Sequence, residues 1–144
     1  MMGFTPDQET FRLFGRRRDR AFSPAQTELW ERALPLFSVR GPIKTRDGLQ
    51  ALFPSAGDVR LEIGFGGAEH LIAQAEAHPN SGFIGAEPFM NGVLKALQSI
   101  ETRGLSNIRI LHGDARPFLF ALPDACLSFL YILHPDPWPK TRHH

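Results

Sequence analysis

Glu62, the glycines Gly64, Gly66 and Gly67, and then Glu87, Asp114 and Asp136 are the residues whose types and spacing could do chemistry. Each acid falls in or just past an apolar run: "VRLEIGFGG", "GFIGAEP", "SNIRILHGD" and "CLSFLYILHPD". A carboxylate in such a place accepts hydrogen bonds from hydroxyls and amines, or faces a positive charge. The glycine turn matches the opening of a dinucleotide fingerprint, but Glu69 occupies the third fingerprint position. A carboxylate at that helix start repels a pyrophosphate, which needs the same amides and the same positive dipole end. Glu62 makes the turn more negative still. The residues suit a nucleoside ligand that carries positive charge and no phosphate.

S-adenosylmethionine, with its ammonium and sulfonium groups, is such a ligand. Glu87 follows the turn at about the 20-residue spacing at which an acid grips ribose hydroxyls. Asp114, at the next strand end, is placed to accept from an adenine amine. Plain structural readings stand beside these: Glu87 could cap the next helix and Asp114 could cap "ARPFLF". His112 and His134 read as ordinary strand-end residues, and no metal-ligand spacing joins them, so no metal site is expected. The basic cluster Arg12, Arg16, Arg17, Arg18 and Arg20 reads either as a solvated tail or as a grip on nucleic acid.

The elements that must position these residues follow from periodicity. Residues 1–22 lack regular patterning and read as a mobile basic arm ahead of one α/β domain over 23–144. Ser23 and Pro24 offer an N-cap and a first-turn proline for a short helix ending near Pro35, and a second helix is expected over Thr45 to Phe53. From Asp58 onward, strands alternate with crossover helices, the last helix of a full length ending at Gly104. That alternation predicts a Rossmann-like parallel sheet covered on both faces, with the acids in register at its carboxyl edge, where ligands sit.

Composition sets the outer bounds. A net charge of +1 proposes no polyanion partner for the chain as a whole, so any such partner must be met by local clusters. The single cysteine, Cys126, excludes an internal disulfide and fits a reducing, cytoplasmic compartment. No apolar run approaches membrane-spanning length.

Together, "FGRRRDRAFSPAQ", "LEIGFGGAEHL", "FIGAEPF", "GLSNIRILHGDA" and "HPDPWPKTRHH" resemble the bacterial tRNA (guanine-N7-)-methyltransferases of the class I, S-adenosylmethionine-dependent fold. The first and last stretches are specific to that family, while the middle ones belong to class I methyltransferases generally. The resemblance implies methylation of guanine N7 in tRNA, at position 46 in the variable loop. It also implies cofactor contacts from Glu62, Gly64, Gly66, Gly67, Glu87, Asp114 and Asp136, with Asp136 additionally catalytic. Lys140 matches the family's substrate-binding stretch. Guanine N7 carries a ring lone pair and no proton, so Asp136, held between Pro135 and Pro137, would face developing positive charge rather than serve as a base. Trp138 could stack on the target base or wall its pocket, and both uses stay open. Lys140, Arg142, His143 and His144 would hold RNA phosphate, as would Arg16, Arg17 and Arg18 in the arm. Monomer and homodimer are both open.

The chain departs from the family in two places. Ala68 stands where many members carry another glycine, a change the helix start is expected to tolerate. Family sequences also continue beyond "RHH", so the chain is expected to be an N-terminal portion whose "SFLYIL" strand is left as an apolar, association-prone edge with little or no methyl transfer. The alternatives are another class I methyltransferase acting on RNA or an amino group, and a non-catalytic cofactor- or RNA-binding module. A nucleotide-cofactor dehydrogenase is disfavoured by Glu62 and Glu69.

Overall fold

A computed structural model describes residues 21–132. In chain order it contains α1 (Pro24–Phe37), α2 (Arg46–Leu52), β1 (Asp58–Ile63), α3 (Glu69–Ala77), β2 (Ser81–Glu87), α4 (Met90–Arg103), β3 (Ile108–His112), α5 (Arg116–Ala121) and β4 (Phe129–Ile132).

The first helix begins as its sequence demands. Ser23 Oγ accepts from Gln26 N at 3.1 Å, Gln26 Oε1 accepts from Ser23 N at 2.9 Å, and Pro24 takes the first turn. Its end differs from the expectation, because α1 runs through Pro35 to Phe37. So near the helix terminus a proline forfeits one intrahelical bond and little else, and Ser38 N still reaches Leu34 O at 2.9 Å. In α2, Thr45 accepts from Gly48 N at 2.9 Å, the cap that the sequence places there.

The strands form one parallel sheet in the order β3-β2-β1-β4. Moving from β1 through β2 to β3, the right-handed crossovers α3 and α4 lie on one face. The return to β4 reverses direction, which puts α5 on the other. The two cores report this split. Phe83, Ile108 and Ile110 pack with α1, α3 and α4 through Leu29, Leu71, Leu94 and Leu97. Val59, Leu61 and Ile84 pack with α2 and α5 through Leu49 and Phe118. The point where the chain reverses, between β1 and β4, is where an open α/β sheet leaves a crevice at its carboxyl edge.

The sheet has two unlike edges among the described residues. Along β3, Ser38 makes an isolated parallel bridge to Ile110, and Val39 N donates to Ile110 O at 2.9 Å. Along β4, Phe129, Leu130 and Ile132 are about half exposed. No helix among the described residues is long and apolar enough to cross a membrane.

Candidate functional site

The loop between β1 and α3 is built from left-handed residues: Gly64 at φ 70°, Gly66 at φ 59° and Ala68 at φ 75°. Ala68 is the N-cap of α3 and is fully buried. A left-handed backbone at this position favours glycine. Alanine tolerates the position only with some αL strain, of order 1 kcal/mol. The loop is continuous with the sheet, since Gly64 N donates to Ala86 O at 2.8 Å. The first turn of α4 closes over it: a Cβ on Gly92 would collide with the Gly66 carbonyl oxygen.

Glu62 and Glu87 flank this loop, at 2% and 5% exposure. A carboxylate removed from water costs several kcal/mol unless donors surround it. Glu87 meets main-chain donors: its Oε1 accepts from Gly66 N at 2.8 Å and its Oε2 from Phe89 N at 3.2 Å. Its own carbonyl accepts from Gly113 N at 3.1 Å. Glu87 is not the cap of α4, whose N-cap is Phe89; its bonds to the two amides still leave room for a grip on ribose, because a carboxylate accepts about four hydrogen bonds. An anion already sits against the Gly66 amide, which a bound pyrophosphate would need for itself.

Glu62 lies on the same sheet face, opposite Gly85 in β2 and Tyr131 in β4. Its Oε1 is 2.7 Å from Nδ1 of His70, in the first turn of α3. The His70 ring meets Tyr131 edge-on at 5.1 Å, and Arg60 Nη1 donates to the Tyr131 hydroxyl at 3.4 Å. His70, Tyr131 and Gly92 were not legible as site residues from spacing alone. An acid just before a glycine turn and a histidine just after it was the available signal.

The acids are staggered rather than in register. Glu62 is level with Gly85, Glu87 with His112, and Asp114 lies beyond both. Asp114 precedes the N-cap of α5, Ala115, rather than serving as the cap; it accepts from Arg116 N at 3.0 Å, and its carboxylate also receives the Arg116 guanidinium at 2.7 Å. Those bonds hold its carboxyl below the usual range, and its side chain is 51% exposed. His112, beside Glu87, is held neutral: burial pushes its imidazole down to about 4, against a weaker opposing bond with the Pro88 backbone. Trp30 covers it edge-on at 5.2 Å, and Phe22 packs on Trp30 at 5.4 Å. Asp136, Trp138, Lys140, Arg142, Arg16, Arg17 and Arg18 lie outside the described residues. Among the described residues, no group of three or more His, Cys, Asp or Glu side chains could hold a metal ion.

A groove on the outer surface between α3 and α4 starts near Gly67 and is lined by Glu69, Glu76, Lys95 and Arg103. Its charges are mutually occupied in part, with Arg103 Nη1 2.8 Å from Glu76 Oε1. It offers mixed polarity rather than the one-signed field of the carboxyl edge.

Comparison with known proteins matches residues 56–144 to a family described as "Putative methyltransferase". The chain is 50% identical over 132 residues to a tRNA (guanine-N(7)-)-methyltransferase of Rhodopseudomonas palustris strain BisA53, covering 91% of this chain and 53% of that protein. It is 46% identical over 142 residues to the protein of that name from Caulobacter vibrioides strain NA1000 / CB15N, covering 96% and 61%. The Hyphomonas neptunium protein of that name is 46% identical over 136 residues, covering 92% and 60%. The chain spans about half the length of curated relatives it matches. Among solved structures, one titled "Structure of an antibiotic related Methyltransferase" superposes with a TM-score of 0.53 at 21% identity, covering 67% of this chain and 50% of that one. That likeness carries the fold alone.

Proposed function

From the premise that the chain belongs to the tRNA (guanine-N(7)-)-methyltransferase family, we propose that the protein methylates N7 of a guanine in tRNA, position 46 of the variable loop, using S-adenosylmethionine in the cytoplasm. The observation that carries this reading is the pair of buried carboxylates, Glu62 and Glu87, on either side of the left-handed loop at the strand-reversal crevice. Buried acids there favour a cationic nucleoside over a phosphate-bearing one, and a loop amide already facing Glu87 favours the same choice.

S-adenosylmethionine supplies a sulfonium methyl; the guanine N7 lone pair forms the new N–C bond as the C–S bond breaks, and positive charge passes to the purine. The chain's tasks are alignment and charge stabilisation. Glu87 grips the ribose hydroxyls while holding the loop through Gly66. Glu62 faces the positively charged end of the cofactor. Asp114 receives the adenine amine in competition with Arg116. Asp136 faces the charge that grows on guanine, Trp138 walls or stacks on the base, and Lys140 and Arg142 hold phosphate together with Arg16, Arg17 and Arg18 of the arm over 1–22.

Calorimetric titration with S-adenosylmethionine and with NAD, followed by radiolabelled methyl transfer to tRNA lacking the modification, tests the reading. Binding of the first ligand alone, and N7-methylguanosine in the digested product, are expected. Tight NAD binding without S-adenosylmethionine binding would sink it.

A further inference from the structure

The proposed function assigns Glu62 to the cofactor's positive end but leaves open what sets the direction of that carboxylate. Its 2% exposure means that solvent does not orient it. The imidazole of His70 does, with Nδ1 at 2.7 Å from Oε1. An ionised carboxylate only accepts, so Nδ1 is the protonated nitrogen. The imidazole is itself held on a second side by the edge contact with Tyr131, and Tyr131 is fixed by its register with Glu62, by the Arg60 bond and by stacking on Phe129 at 5.9 Å. These residues straddle β1, α3 and β4, around the point where the strand order reverses.

We propose that His70 is a positioning residue for the cofactor: a hydrogen-bond donor of fixed reach that aims the Glu62 carboxylate at the ligand's cationic end. This rests on the S-adenosylmethionine reading above. The residue type carries the point. A lysine or arginine here would also satisfy a buried carboxylate, but it would cancel the charge and oppose a sulfonium and an ammonium nearby. A histidine donates through Nδ1 and need bring no charge. A purely structural role would be met by any donor; a positioning role needs one of fixed reach and direction that carries no permanent charge.

The test compares His70→Asn, whose amide nitrogen falls near the position of Nδ1, with His70→Lys and His70→Leu. Affinities for S-adenosylmethionine and for adenosine, which lacks the charged chain, are measured by calorimetry on the full protein. His70→Asn is expected to stay within about threefold of the parent for both ligands. His70→Lys is expected to lose about tenfold or more for S-adenosylmethionine and to keep adenosine within about threefold. His70→Leu should also lose more for the charged ligand than for adenosine. Retained adenosine affinity doubles as the check on folding, and the Leu variant carries the comparison should the Lys variant fail to fold. Equal S-adenosylmethionine affinity in the Asn and Lys variants, or equal losses for the two ligands in Leu, would overturn the proposal while leaving the cofactor reading intact. A parent protein that binds neither ligand would overturn both.

Discussion

At the amino end of the sheet, Asp58 receives the hydroxyls of Ser81 and Ser128 and pairs with Arg60 at 3.0 Å. At the carboxyl end, Glu87 receives main-chain amides from two loops, and Glu62 faces an imidazole. Burial pushes the Asp58 carboxyl up, yet bonds from Ser128, Ser81 and Arg60 outweigh it and hold it below its ordinary value. Asn107 does the same kind of tying nearby, donating through Nδ2 to Ala75 O, His78 O and Ser81 O at 3.0–3.2 Å. One end is fastened side chain to side chain and side chain to carbonyl, across strands that have no other task. The other uses side chains to shape backbone. Acids of one chemistry thus serve as struts at one end and as parts of a site at the other, and the difference lies in what they touch.

The sharpest break of that contrast is Gly92→Ala. The added methyl meets backbone, the Gly66 carbonyl, which cannot rotate away as a side chain can. A loss of about 3 kcal/mol in urea unfolding is expected, together with weakened S-adenosylmethionine binding in the molecules that remain folded. Acid comes next. His112 binds a proton more weakly in the fold, at about 4, than at its ordinary 6.5. Its contribution to stability is therefore complete above pH 6.5 and is lost as pH falls towards 4. The full loss is about 3 kcal/mol, read as the difference in pH slope between the parent and His112→Gln.

Asn107→Ala, at the amino end, should cost about 2 kcal/mol by leaving carbonyls unsatisfied, without changing cofactor affinity. If it weakened binding as much as it weakened the fold, the two ends would not be separable. Glu87→Gln keeps the shape and removes the charge; roughly tenfold weaker S-adenosylmethionine binding is expected by calorimetry. Asp114→Asn should be the mildest, within about 0.5 kcal/mol in stability, since its exposed pair with Arg116 is of the surface kind.

Much of this was readable in the residues. From Asp58 on, apolar runs punctuated by glycine and proline specify strand and helix in turn, because each crossover has to start and stop where the chain can bend. Ser23 and Thr45 cap where hydroxyls before helical runs should. Pro35 misled because its cost depends on how many turns follow it, which spacing does not state. The stagger of Glu62 against Glu87 comes from strand pairing, a long-range offset that no single strand encodes. The His70 contact escaped for the same reason: it crosses a loop whose left-handed residues bring a helix start back over the strand before it. Asp114 was placed correctly at its strand end, but Arg116, two residues on, competes for it.

Glu87 joins three separate stretches through Gly66 N, Phe89 N and Gly113 N. Deuterium entering those amides reports on when the joints open. The carboxylate closes the first two, so the loop after β1 and the link into α4 would open in a single cooperative event and share one protection factor, while the end of β3 is held through the Glu87 main chain. Glu87→Gln would then speed exchange at Gly66 and Phe89 together, while Gly113, bonded to the main-chain carbonyl, and amides near Asp58 keep their rates. A ligand held by the same carboxylate would slow the Gly66 and Phe89 amides in concert.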